Sequence, residues 1–186
     1  MRKRNKNKRI KQWILSTTKA VHMNINLKLQ NTGVNMSYDF IHHYIGCDLN
    51  RVQKARNTMK NPIPLEAYIK TLTMHELGHA MDREALLKSL PKTIEIFKMR
   101  RYHSETEYRN NAQLFQMIIE EHEMNIEFEE TAWRNAEALN RLYNIVDWND
   151  FNRVKEHSIS TYKTLYDAEL RHYNKILKEE NSPVAG

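Results

Sequence analysis

The sequence predicts an α+β fold, a small N-terminal β-sheet followed by a mostly helical C-terminal half, on three observations. Apolar and polar residues alternate from Val21 to Leu29, the two-residue period of a half-buried strand. From Leu65 onward the apolar residues recur at helical spacing instead. Between Lys92 and Ser182 there is neither a glycine nor a proline, so no residue in that half is a strong helix breaker. A chain of 186 residues with 40% hydrophobic content is long enough for one domain with a genuine core and short for two. The expected organisation is a basic disordered arm over 1–12, a single domain over 13–180 and a flexible tail over 181–186.

The arm is expected because Arg2, Lys3, Arg4, Lys6, Lys8, Arg9 and Lys11 repel one another and only Ile10 is available to bury. The first strand follows from Val21, Met23, Ile25, Leu27 and Leu29 facing one way. After a turn at Asn31-Thr32-Gly33, Ile41, Ile45, Cys47 and Leu49 predict a second strand around 41–49. Asn61-Pro62-Ile63-Pro64 then marks a helix start, with Glu66 suited to its positive end. Leu65, Tyr68, Ile69, Leu72 and Leu77 carry that helix forward until Ser89-Leu90-Pro91 is expected to end it. Ser104 and Glu107 have the spacing of a capping box opening a long helical region. Its length, roughly 40 residues, exceeds that of ordinary helices and predicts a break. A last helix is expected over about 160–179.

Net charge is +6, yet outside the first eleven residues 22 Lys and Arg face 23 Asp and Glu. The sequence pI of 9.3 is therefore expected to belong to the arm rather than to the folded surface. Cys47 is the single cysteine, which excludes a disulfide within the chain and a Cys-rich metal cluster, and points to an intracellular setting. Trp13-Ile14-Leu15 gives way at once to Ser16-Thr17-Thr18-Lys19, too short an apolar run for a signal peptide. No stretch is apolar enough to span a membrane, so a cytoplasmic protein is expected.

Within this frame the stretch TLTMHELGHAMD, residues 71–82, carries the chemistry. Chance alone would supply H-E-x-x-H in a chain of this composition about one time in twenty-five, so its surroundings decide its meaning. On a helix, residues four apart lie one turn apart on one face, so His75 and His79 can present both imidazoles to a single zinc ion. Glu76 cannot point to the same spot but can reach a water at the metal, where a general base belongs. Two solvated histidines would also fit the pattern. Against that reading, Gly78 weakens a helix interior by about 1 kcal/mol relative to alanine, which makes sense if another backbone passes close by.

A catalytic zinc site takes three protein ligands and keeps one position open. Asp82 and Ala85 stand where the extended pattern H-E-x-x-H-x-x-G-x-x-H needs Gly and His, so the third ligand must lie further on, and residues 120–139 hold the candidates. Helical phase separates them. Glu129 shares a face with Ala132, Ala136 and Leu139, the small apolar face of a closely packed helix. Glu130 aligns with Arg134, Glu137 and Arg141, and Glu127 with Thr131 and Arg134, both solvated faces. Glu129 is the predicted ligand.

His75-Glu76-Leu77-Gly78-His79 followed by Glu129-x-x-Ala132 resembles the gluzincins, zinc metallopeptidases whose third ligand is a glutamate opening an E-x-x-A or E-x-x-S motif on a downstream helix. Within that group the chain is most similar to the compact ImmA/IrrE-like peptidases of bacteria and their mobile elements. The resemblance covers roughly residues 41–140 and is specific at the two motifs. It implies a zincin-like fold, one zinc ion held by His75, His79 and Glu129, and Glu76 as the catalytic base. Two departures stand out. Trp133 occupies the place of an aspartate that orients a ligand histidine in several gluzincins, leaving that role unfilled or passing it to Asp82. The helix-turn-helix fused to many ImmA/IrrE proteins has no room in this chain. His157 and Tyr162 are candidates for stabilising an oxyanion, as a His or Tyr after the ligand helix often does in zincins. His42, His43, His103, Arg100 and Arg101 read as surface residues, and Trp133 and Trp148 as core.

The expected function is hydrolysis of peptide bonds in a protein or peptide substrate, with a strand near 43–49 holding an extended peptide by strand addition. The alternative, from another class, is a nucleic-acid-binding accessory protein with a structural or inactive zinc site, its basic arm making weak nonspecific contact with phosphates.

Overall fold

The computed structural model describes residues 2–180, and the tail expected over 181–186 lies outside the described residues. A three-stranded sheet occupies the N-terminal third and helices make up the rest, so the α+β class predicted above is the observed one.

The first element departs from expectation. Helix α1 (Arg2–Ala20) occupies the region where a disordered arm was expected. Ile10 and Ile14, one turn apart, are fully buried, and Thr17 and Val21 continue their line into the core. Burying an isoleucine is worth roughly 2 kcal/mol. That outweighs repulsion between lysines whose charges remain in water. The first strand is correspondingly shorter than predicted. Thr17, Thr18 and Lys19 accept hydrogen bonds from the amides of Val21, Met23 and His22, so the chain is still leaving α1 where the strand was expected. Strand β1 spans only Asn26–Leu29.

Strand β2 (Met36–Asp39) has no counterpart among the predicted strands, and β3 (Tyr44–Cys47) is the core of the strand expected over 41–49. The sheet order is β1-β3-β2. Strand β1 runs parallel to β3, and β2 runs antiparallel to it with Met36 opposite Cys47 and Asp39 opposite Tyr44. The expectation that residues 43–49 would offer a free edge is thereby corrected. Strand β3 is central, with both backbone edges already paired, and β2 is the edge strand on the side of the histidine motif.

Asp48 caps helix α2 (Leu49–Arg56), accepting from the amides of Asn50 and Arg51 at 3.0 and 2.9 Å. Helix α3 (Leu65–Met81) starts directly after Pro64 and is buried continuously from Thr71 to Gly78. It ends sooner than predicted, at Asp82 with φ −102° and ψ 21°. Short helix α4 (Arg83–Lys88) follows, and Pro91 lies in the first turn of α5 (Leu90–Tyr102) rather than ending a helix. The first turn has amides without intrahelical partners, so a residue lacking one is accommodated there.

The capping box at Ser104 and Glu107 is present, but it opens only α6 (Glu105–Arg109). The predicted break falls at Asn110-Asn111, and Asn111 caps the 32-residue α7 (Ala112–Tyr143). A second reversal follows at Asn144, in the left-handed region at φ 48°. Buried Asn140 closes it, accepting from the amides of Ile145 and Val146 and donating to the Val146 carbonyl at 3.0 Å. Helix α8 (Trp148–Glu180) then returns along α7, beginning well before the predicted residue 160. Trp148, expected in the core, is 37% exposed and rests against the edge of Phe151.

The main core lies among α1, the sheet, α3, and the parts of α7 and α8 next to their connecting turn. A second cluster, around Ile96, Phe115, Ile119 and Ile176, fills the far end of the α7–α8 pair beneath α5. The histidine motif lies in the main core.

Candidate metal centre

Helix α3 crosses α7 at Gly78 and Ala132. A Cβ built on Gly78 would lie 2.1 Å from the Ala132 carbonyl oxygen, well inside any allowed contact. Asn135, three residues further on α7, donates to the Gly78 carbonyl at 3.0 Å and ties the crossing together. Glu129, one turn before Ala132, is thereby brought against the face of α3 that carries the histidines.

His75, His79 and Glu129 form a group able to hold a metal ion, with one donor atom from each lying within 4.8 Å of the others. His75 Nε2 is 3.1 Å from Glu129 Oε2, and His79 Nε2 is 3.2 Å from Oε1. The approach of His75 leaves Oε2 buried without a hydrogen bond. Two imidazole nitrogens and a carboxylate converging in a buried pocket, one carboxylate oxygen unsatisfied, fit a small divalent cation. Nitrogen donors favour zinc or another transition ion over magnesium or calcium. The other predicted candidates face away. Glu130 is exposed and pairs with Lys163 of α8 at 2.9 Å, and Glu127 is also exposed.

Burial alone would raise the Glu129 carboxyl, but the imidazoles of His75 and His79, close to its two oxygens, overcome it and hold the group well below the ordinary carboxylate range. Burial likewise pushes His79 down, and the neighbouring Glu129 and Glu76 overcome that and raise it. Glu76, 5% exposed, is pushed up by burial, with the two histidines and the Tyr38 amide opposing the shift and Glu129 adding to it. Cys47, behind the site in the sheet, is pushed up to about 12 by burial and by Asp48 and Glu76, so it is a neutral thiol at pH 7.

Trp133 stacks on the His75 ring with centroids 4.3 Å apart and planes 22° apart. It is fully buried and braced edge-on by Phe151. His75 Nδ1 has no hydrogen-bond partner, so packing fixes this ring where a carboxylate would otherwise do so. Asp82 caps the end of α3 and forms no hydrogen bond to either imidazole; it acts on His79 only through its charge.

These side chains open into a cleft of about 690 Å³. Strand β2 forms one wall, and His157, Ser158, Thr161 and Tyr162 of α8 form the opposite one. Both oxyanion candidates therefore line the cleft, and Tyr162 comes closer to the donors. Burial and the nearby charge of Glu129 push the Tyr162 phenol up, so it keeps its proton. The turn after β2 is pinned by Arg83, which donates to the carbonyls of Phe40 and Ile41 at 2.8 and 3.2 Å.

His42 is exposed beside Asp39, His43 contacts the Tyr38 hydroxyl, and His103 ends α5; none joins the site. Arg100 pairs with Glu121 and is not simply solvated. Asn135, Arg83 and β2 were not among the residues and strands expected at the site. Asn135 adjoins the small-residue face of α7 that selects Glu129, the one signal available for it.

No family model matches this sequence, and neither a curated protein nor a solved structure matches it. Among the described residues no helix is long and apolar enough to cross a membrane.

Proposed function

We propose that this protein is a zinc-dependent metallopeptidase of the gluzincin type, most similar to the compact ImmA/IrrE-like peptidases. One observation carries the reading: two helical histidines and a glutamate from a separate helix converge, with a buried carboxylate beside them, at the floor of an open cleft. His75, His79 and Glu129 would hold the ion, which when bound would acidify a water and polarise a carbonyl.

The chain's own groups complete the chemistry. Glu76, adjacent to the first ligand, accepts the proton of the attacking water and passes it to the leaving amine. Tyr162, protonated across the cleft, donates a hydrogen bond to the oxygen that gains negative charge. Strand β2 offers its unpaired edge to an extended peptide, whose backbone would run along the wall beside Glu76.

The test is metal content together with cleavage. Protein from zinc-replete medium should carry one zinc, Glu129→Ala should lose it, and Glu130→Ala should keep it. Glu76→Gln should keep zinc and lose cleavage of a mixed peptide library. Metal-free wild-type protein, or equal loss from the two alanine variants, would overturn the site. Full cleavage by Glu76→Gln would overturn the mechanism.

A further inference from the structure

The charge of this molecule is divided between two parts of the chain. Thirteen of its 29 Lys and Arg residues lie in the first 60 positions, against only two of its 23 Asp and Glu residues, Asp39 and Asp48. Because α1 is a helix whose Ile10 and Ile14 are buried in the core, Lys6, Lys8, Arg9 and Lys11 belong to a folded face. The expectation that the basic pI belongs only to an arm is corrected accordingly.

Helices α1 and α2 contain no acidic residue. Lys6, Lys8, Arg9 and Lys11 of α1 are exposed, as are Arg51 and Lys54 of α2. The two helices are linked where Gln53 donates to Asn7 at 3.4 Å, and Lys6 lines the same surface hollow as Arg51 and Lys54. Of the two carboxylates nearby, Asp48 is buried as the cap of α2 and Glu66 is paired with Lys70 at 2.7 Å. None of the six exposed cations forms an ion pair among the described residues, whereas the later helices pair Lys88, Lys92, Arg100, Arg109, Lys155 and Lys163 with glutamates.

We propose that the α1–α2 face is a docking surface for the phosphate backbone of nucleic acid, independent of the peptidase reading. Unpaired cations that keep their own water and counterions gain by exchanging them for phosphates, and counterion release drives that association. Asn5, Asn7, Asn50 and Gln53 stand among the cations with amides that hydrogen-bond phosphate oxygens. A lipid surface is the poorer partner. An amphipathic membrane helix needs an outward apolar face, and here Ile10 and Ile14 are spent in the core, leaving Leu15 as the one large aliphatic side chain of α1 that is exposed. Binding is expected to be sequence-independent, because contacts to the phosphate backbone carry no sequence information.

The probe is a fluorescein-labelled 24-base-pair duplex, titrated with the full chain across a range of salt concentrations. Six phosphate contacts imply an affinity loss of roughly a thousandfold between 50 and 200 mM salt. The triple variant Lys8→Gln, Lys11→Gln, Lys54→Gln removes exposed cations outside the metal cleft. It should weaken binding at 50 mM salt at least tenfold, flatten the salt dependence by about three powers, and leave zinc content unchanged. The control triple Lys88→Gln, Lys92→Gln, Lys163→Gln removes the same charge from the later helices and should bind as wild type does. The proposal is overturned if wild type does not bind the duplex at 50 mM salt or if both triples weaken binding equally. It is also overturned if phosphatidylcholine vesicles with 30% phosphatidylserine bind wild type and the duplex does not. Should the first triple not fold by far-UV circular dichroism, the wild-type salt dependence and the vesicle arm still decide.

Discussion

Gly78 of α3 and Ala132 of α7 touch backbone to backbone: a Cβ at position 78 would lie 2.1 Å from the Ala132 carbonyl oxygen and 2.9 Å from its carbonyl carbon. This contact links the two halves of the metal centre, because Gly78 directly precedes His79 and Ala132 lies one turn after Glu129. It also gives a physical reason for a small residue three places after the ligand glutamate.

Gly78→Ala therefore sets local preference against packing. Helix propensity favours alanine by about 1 kcal/mol. Overpacking against a backbone costs more, about 3 kcal/mol. The expected result is a net destabilisation of about 2 kcal/mol in urea unfolding, with weaker zinc binding because Glu129 withdraws with α7. A stabilised Gly78→Ala protein would show that the helices separate freely there.

Asn135 holds the same crossing through its hydrogen bond to the Gly78 carbonyl. Asn135→Ala should cost about 1 kcal/mol. The loss should appear in the unfolding midpoint, with zinc stoichiometry kept, since the backbone contact at Gly78 persists.

Much of this was legible in the sequence where the relevant physics is local. The i, i+4 spacing fixes His75 and His79 on one face, and helical phase singles out Glu129, because both depend only on a regular helix being present. Elements set by distant partners were harder to read. The seven clustered charges of α1 dominate its composition, and the single turn from Ile10 to Ile14 that anchors it becomes meaningful only against α3. Strand β2 has four residues, two of them apolar, too few to establish a period. Trp133 reads correctly as core, but its stacking on His75 requires knowing that α3 and α7 cross.

Removing the metal should be visible in stability. Loading a site present only in the folded chain, at a free concentration one thousand times Kd, contributes about 4 kcal/mol. In a chain of this size that corresponds to a Tm increase of roughly 8–16 °C. Chelation should reverse it, and magnesium should give no comparable shift because two of the three donors are imidazoles. Calorimetry of the metal-free protein with and without zinc checks this, and an unchanged Tm would contradict a metal site.

Asp48 supplies a pH dependence away from the site. Its carboxylate accepts from the Arg51 amide and, despite an opposing effect of burial, also from the Gly33 and Asn50 amides; together these hold it below the ordinary range. A carboxyl lowered by folding stabilises the fold above its unfolded pKa, about 3.9. That contribution is lost as pH falls through the lower folded value. Wild type should therefore lose Tm as pH drops below about 4. Asp48→Asn, which keeps the shape but not the charge, should have a lower Tm at pH 7 and a shallower decline in acid. Parallel acid limbs for the two proteins would show that Asp48 contributes nothing to this dependence.

Trp133 and His75 allow packing to be separated from hydrogen bonding as a means of holding a ligand. The indole stacks at 4.3 Å on an imidazole whose Nδ1 has no partner, and its own Nε1 is also buried without one. Trp133→Phe removes no hydrogen bond, so any effect on the metal must come through the lost ring area and the looser imidazole. Replacing a hydrogen-bonded support of a ligand histidine typically lowers metal affinity 10- to 100-fold. A stacking support should lie at the lower end, about tenfold, with a stability loss of about 1–2 kcal/mol from the smaller ring. Competition with a chromophoric chelator measures the first and urea unfolding the second. If stability falls while zinc affinity stays unchanged, Trp133 fills space without orienting His75. If both fall together, the stacked indole is what fixes the ligand ring.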